Sequence, residues 1–350
     1  MPDCPVDTPC LRRGAAFPVV LEDPDGTCAA ATMLLSSPGK VPAGAETATA
    51  TAFELSADGA RPFLSSERFF DEGWAAFMAS AVTLASSQQQ WELQAQVVSE
   101  GCAPAALPTQ FVLGPDRQAI VVSFTPGFDV AVDQFGLGAH HAAIEQAVLA
   151  KVAAHFSGYA VRVDSRPHPA YIEYTKIAVL DRDPNGMGLL GTDNTPGKDV
   201  GNKHLDEHIR GINRTSRNAG RAAYGGVFVG ELFVYSRKLN PASKVSDHGF
   251  DAIFGPWSPK LGGTPATDTD EASQAVDALA ELVAGTVSHE IGHALGLAAG
   301  TDLFHHDGDH PRWRMDAGVH RPFGERAGID GKEVWGPVDA AYLAKILPVE

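Results

Sequence analysis

Scarcities in this chain of 350 residues exclude as much as its contents suggest. It has no unbroken apolar run of roughly eighteen residues or more, so no membrane-spanning helix is expected. Basic residues are outnumbered, with 27 Lys and Arg against 43 Asp and Glu and a formal net charge of −16. Nucleic acid and anionic membrane surfaces both need a basic face, so neither is expected as a partner. Cysteine is limited to Cys4, Cys10, Cys28 and Cys102, all in the first third of the chain. An even set there suggests disulfides and an extracytoplasmic or secreted location. Met1–Pro5 nevertheless carries neither the basic region nor the apolar core of a signal peptide, and buried free thiols are the alternative. No internal repeat and no long low-complexity tract is present.

What is present reads as an ordinary globular chain, 44% apolar and 20% charged, long enough for two domains. Period-2 alternation at Thr47–Leu55 and at Trp91–Val97 marks strands, and Thr32–Leu35 is a short apolar run. Residues 1–108 are therefore expected to form a small β-rich module, ending near Pro104 and Pro108. From 109 to 350 the pattern alternates strand and helix. Strands are expected at Ala119–Phe124, Ala160–Val163, Tyr174–Leu180 and Gly226–Tyr235, and helices at about Ala139–Phe156 and Asn202–Ala219. That order describes an α/β domain with a twisted sheet. Pro337–Leu347, opening on a proline, is expected as a closing helix.

The densest chemistry lies in Ser288-His289-Glu290-Ile291-Gly292-His293-Ala294-Leu295-Gly296-Leu297. Two histidines four apart share one face of a helix, which lets both imidazoles reach one Zn²⁺. Glu290 follows the first of them, where a general base for an activated water is needed. An apolar stripe at Val276, Ala280, Val283, Val287, Ile291 and Ala294 predicts that the helix runs through the motif, with Asp268, Thr269 and Asp270 as its start signal. Gly296 is placed to end it.

His289, Glu290, His293 and Gly296, with Met315 downstream, resemble the pattern of the metzincin zinc endopeptidases, H-E-x-x-H-x-x-G-x-x-H/D followed by a methionine turn. The resemblance covers roughly residues 110–350. It implies a mixed twisted sheet with a long zinc-binding helix, His289 and His293 as ligands, Glu290 as general base and Met315 beneath the metal. A protein or peptide would be the substrate, and one Zn²⁺ the cofactor. The family's third-ligand position falls on Ala299, which cannot bind a metal. A catalytic zinc needs a third protein ligand, so the pattern implies a displaced one. His305 is the first choice, with His306, Asp302 and His310 as the others. Asp302 would make the site aspzincin-like, and Glu325 or Glu333 would make it gluzincin-like. An inactive zinc-binding relative and a non-enzymatic β-module binding protein are the alternative functions. Asp316 is a candidate partner of the methionine turn.

A second motif, Asp181-Arg182-Asp183-Pro184-Asn185-Gly186, matches the first half of a calcium loop. Thr192 stands where that loop's closing glutamate belongs, so a bound Ca²⁺ competes with a plain turn after a strand.

Overall fold

The computed structural model describes residues 10–11, 32–36, 47–49, 90–98, 105–113, 118–167, 174–195, 207–212, 224–298, 305–306, 310–318 and 321–347. The chain divides into two compact units, one comprising Met1–Ala119 with Pro167–Tyr174 and Glu350, the other Ile120–Arg166 with Thr175–Val349. Among the described residues no helix is long and apolar enough to cross a membrane.

The first unit carries a sheet of order β1-β5-β4-β2-β3, built from β1 (Cys10–Leu11), β2 (Thr32–Ser36), β3 (Thr47–Thr49), β4 (Gln90–Val98) and β5 (Ala105–Leu113). β4 contains the alternating Trp91–Val97 run. β5 passes straight through Pro108, which stands opposite Gln94 of β4. A proline lacks the N–H for a second ladder, and β1 meets β5 only at Val112 and Leu113. Cys4, Cys28 and Cys102, together with most of Thr47–Leu55, lie outside the described residues.

The second unit is a mixed α/β fold around a seven-stranded sheet. Its main path runs β11 (Gly211–Ile212), β12 (Tyr224–Phe228), β8 (Thr175–Leu180), β6 (Gln118–Phe124), β7 (Val161–Asp164). β6, β8 and β12 are parallel, with Val122 opposite Ile177 and Val227 opposite Val179. Residues from Gln118 to Val122 are all buried, as a strand covered on both faces requires. β9 (Gly191–Thr192) pairs antiparallel with β12, and β10 (His208–Ile209) pairs parallel with β8.

Two expectations need correction. Asn202–Ala219 is not one helix, because its described part forms β10 and β11. Gly211 there takes φ +53°, a left-handed conformation that interrupts helical geometry, and Ile209 is drawn into the sheet core. The apolar run Gly226–Tyr235 is a strand only to Phe228, after which Val229–Tyr235 forms a 3₁₀ helix. Gly230 allows a close approach just after the change. Its N–H donates to Asp181 O at 2.6 Å, and a Cβ at this position would collide with the same aspartate. A buried apolar run has the same composition in either conformation, so periodicity could not separate them.

Helices α1 (Pro126–Gln134) and α2 (His141–His155) follow β6. α2 buries Ile144, Val148 and Val152, one face at helical spacing, and packs along the long helix α4 (Thr269–Ala294). The Asp268 side chain caps α4 by accepting from Asp270 N–H at 2.8 Å. Past Ala278 almost every residue of α4 is buried, so its second half is a core helix. A Schellman turn closes it: Gly296 N–H donates to His293 O and Leu297 N–H to Gly292 O, both 2.9 Å, with Gly296 at φ +87°. α3 (His248–Phe254), α5 (Phe323–Arg326) and α6 (Pro337–Ile346) complete the unit, the last with Pro337 in its first turn.

An aromatic cluster joins these layers. Phe135 stacks on Phe233 at 4.3 Å between centroids, and Phe250 meets Phe254 at 4.7 Å and Phe323 at 5.3 Å. Phe250 is fully buried at its centre. Phe250→Ala should cost about 3–5 kcal/mol in urea unfolding. A loss below ~1 kcal/mol would show that the cluster does not carry the core.

Candidate metal centre

The centre is built from α4 outward. His289 and His293, one turn apart, point their Nε2 atoms at each other across 3.1 Å. His305, from a segment beyond the helix, brings its Nε2 to 3.2 Å from that of His289. The three ligand atoms all lie within 4.8 Å of one another, and among the described residues this is the group that could hold a metal ion. The tautomer of His289 follows from its neighbour. Its Nδ1 lies 2.6 Å from the carbonyl oxygen of Arg314, which can only accept, so Nδ1 carries the proton. The neutral ring then presents an Nε2 lone pair to two other imidazole nitrogens. One lone pair cannot accept from both, and a cation between the three rings satisfies all of them.

His289 is held neutral by its surroundings. Burial, then the nearby His305 and then Arg321 push its imidazolium well below the ordinary histidine range. Both α4 histidines are buried, whereas His305 is partly exposed.

Met315 is completely buried and lies against the α4 backbone at Gly292. A Cβ on Gly292 would sit 2.7 Å from the methionine sulfur. The glycine between the two histidines is therefore what allows the methionine to reach the helix. Glu290 has a similar relation to Gly191 of β9, where a Cβ would come within 2.5 Å of its Oε1. The carboxylate of the motif is thus packed against the backbone of the strand β9.

The other sequence candidates have different partners. His306 turns away from His305, and its Nε2 lies 2.9 Å from both carboxylate oxygens of Asp339 on α6. His310 donates its backbone N–H to Asp316 Oδ2 at 2.6 Å and stacks its ring on Trp313 at 4.0 Å. Asp316 therefore braces the methionine turn. Glu333 bonds Arg314 at 3.0 Å and Glu325 lies 3.4 Å from Arg321, so both glutamates serve a buried arginine cluster and not the histidines. Asp302 lies outside the described residues. In the candidate calcium loop, Asp183 accepts backbone N–H bonds from Asn185, Met187 and Leu189 at 2.8–3.2 Å. Asn185 ties the loop to Tyr224 in both directions. The carboxylate shapes a turn that delivers the chain to β9.

Three features carried no signal in the sequence: the Gly191–Glu290 contact, the Arg314 carbonyl and the burial of Arg314, Arg321 and Arg326. A glycine that makes room looks like any other glycine, and buried arginines look like surface ones.

On a neighbouring face of α4, His155 pairs with Ser288 Oγ at 2.9 Å and lies 3.5 Å from Glu281, which Lys151 also meets at 2.9 Å. Burial, reinforced by the charge of Arg314, lowers His155 to about 4. Burial alone would raise Glu281, but hydrogen bonds from His155 and Lys151 outweigh it and hold the carboxyl at about 2.

No family model matches the chain, and no curated protein or solved structure matches it either.

Two predictions follow from this geometry. Gly292→Ala should destabilise the protein by about 1–3 kcal/mol, because Met315 must move off the helix. Adding Met315→Ala to it should relieve that clash and cost less than the two single changes summed, and equal urea midpoints for wild type and Gly292→Ala would rule out the packing account. The second concerns acid. His155 titrates lower in the folded chain, at about 4, than its ordinary value of 6.5. As pH falls between those values the unfolded chain takes up a proton that the folded chain refuses, so stability is full above the window and is lost through it. Glu281, depressed from 4.5 to about 2, extends the loss to lower pH. His155→Gln should flatten the urea midpoint between these two histidine values, removing at most ~3 kcal/mol of slope. Parallel curves for variant and wild type would refute it.

Proposed function

We propose that the chain is a zinc-dependent endopeptidase of the metzincin type, with His289, His293 and His305 as ligands and Glu290 as general base. The observation that carries this reading is the convergence of three imidazole Nε2 atoms, with a buried methionine seated under the helix turn that bears two of them. Tetrahedral zinc with Zn–N bonds of roughly 2.0–2.1 Å sets ligand nitrogens about 3.3 Å apart. The separations of 3.1 and 3.2 Å suit that ion closely. Histidine nitrogens alone, with no thiolate, and a three-ligand set are characteristic of catalytic zinc.

Bound zinc supplies Lewis acidity, which polarises a carbonyl and acidifies water at the site. The protein's own residues do the rest. The Arg314 carbonyl orients His289. Glu290, buried and adjacent to the first ligand, accepts a proton from the attacking water and returns it to the departing amine. Gly191 lets that carboxylate lie against β9. Among the described residues β9 has β12 as its one strand partner, so its free side suits an extended substrate chain adding as a further strand.

The purified full-length chain should contain one zinc per molecule by elemental analysis and cleave unfolded casein. Glu290→Gln should keep the zinc and lose about 10²–10⁴-fold in turnover. A wild-type chain without stoichiometric metal, or a Glu290→Gln variant as active as wild type, would overturn the proposal. His305→Ala should lose the metal, whereas His306→Ala, which gives up the Asp339 pair and ring contacts with Trp313 and His310, should retain most of it; the opposite result would move the third ligand by one residue.

A further inference from the structure

The largest set of buried charges in the second unit takes no part in the chemistry above. Arg314, Arg321 and Arg326 are each almost wholly buried, with Glu325 and Glu333 among them. Arg314 Nη1 meets Glu333 Oε2 at 3.0 Å and its Nη2 donates to the Glu333 carbonyl at 3.2 Å. Arg321 contacts both Glu333 and Glu325. Arg326 reaches Thr286 on α4 and lies 3.9 Å from Glu333. A buried cluster of this kind adds little net stability, since well-packed apolar side chains of similar volume often serve as well or better. Its value must then lie in what it positions.

One hydrogen bond runs from the cluster to the metal centre. Arg321 Nη1 donates to the Arg314 carbonyl oxygen at 3.0 Å, and this is the oxygen that accepts from His289 Nδ1. A carbonyl oxygen has two lone pairs, and here both have buried donors. Arg314 is thereby fixed at its carbonyl by Arg321 and at its guanidinium by Glu333. We propose that Arg321 is a positioning residue for the metal centre. By holding the Arg314 carbonyl it sets the ring orientation of His289 and keeps the Nε2 lone pair directed at the other two histidines. The proposal rests on the metal-binding reading of those histidines. It extends that reading to a residue 32 positions from the first ligand, by the numbering of Arg321 and His289. Arg321 touches neither metal nor substrate, and acts through a backbone oxygen.

Arg326 provides the internal control, because it is in the same cluster and equally buried but makes no bond to that oxygen. Zinc affinity of the full chain would be measured by chelator competition, together with the d–d absorption of the cobalt form and the melting of the metal-free protein. Arg321→Lys replaces a planar fork of donors with one compact ammonium, which does not span the separate positions of the Arg314 carbonyl, Glu325 and Glu333. It should weaken zinc about 10–100-fold and shift the cobalt bands. Arg326→Lys should melt at a similarly lowered temperature but keep zinc affinity within about twofold and the cobalt bands unmoved. Equal weakening by the two variants, or wild-type affinity and spectrum in Arg321→Lys, would overturn the proposal. Should Arg321→Lys fail to fold, Glu325→Gln loosens the guanidinium while leaving it in place; a shifted cobalt spectrum supports the role and an unshifted one rejects it. A wild-type chain that takes up no metal fails at the earlier reading, whereas a wild type and an Arg321→Lys that bind alike fail here alone.

Discussion

The sulfur of Met315 rests against the backbone of α4 at Gly292, where any side chain would push it away. That contact joins two parts of the chain that sequence order keeps apart. On one side is a buried helix carrying two histidines; on the other is the segment from His305 to Asp316, which supplies the third. With the methionine seated, Arg314 is set so that its carbonyl meets His289, and His306 N–H lies 3.3 Å from Met315 O. His305 then reaches the shared point. Displacing the methionine would move the His289 acceptor and the loop bearing the third ring together. The packing is tight because interiors tolerate little empty or excess volume.

Much of this architecture was legible beforehand, and the limits have physical causes. α4 announced itself through capping aspartate, apolar stripe and terminal glycine, and all three signals act locally. β6 and β8 were readable because buried parallel strands are continuous β-branched runs. Val229–Tyr235 was not, since a run buried on every side fits a strand or a tight helix equally. For the third histidine, His305 was the first choice, ahead of His306, Asp302 and His310, because imidazole is the usual partner of two others at such a site. Sequence does not show how the two adjacent rings part: Asp339, distant in sequence, meets that of His306, while His305 brings its Nε2 to His289.

The buried arginines illustrate a different limit. Charge is usually read as surface, and nothing in the spacing of Arg314, Arg321 and Arg326 departs from that pattern. Their burial depends on Glu333 arriving from a later turn, with Trp335 beside Arg314 at 5.1 Å from ring centroid to guanidinium carbon. A single carboxylate thereby draws three guanidinium groups inward, and the Coulombic gain offsets a large desolvation cost only if the geometry is kept.

Asp339 and Tyr342 both lie on α6, and each ties that helix to a different neighbour. Asp339 meets the ring of His306, and the Tyr342 hydroxyl donates to Leu295 O at the close of α4. Three residues apart, the two side chains share one face of α6. A rotation of that helix about its own axis would therefore break both contacts at once, although the helix itself carries none of the three clustered histidines.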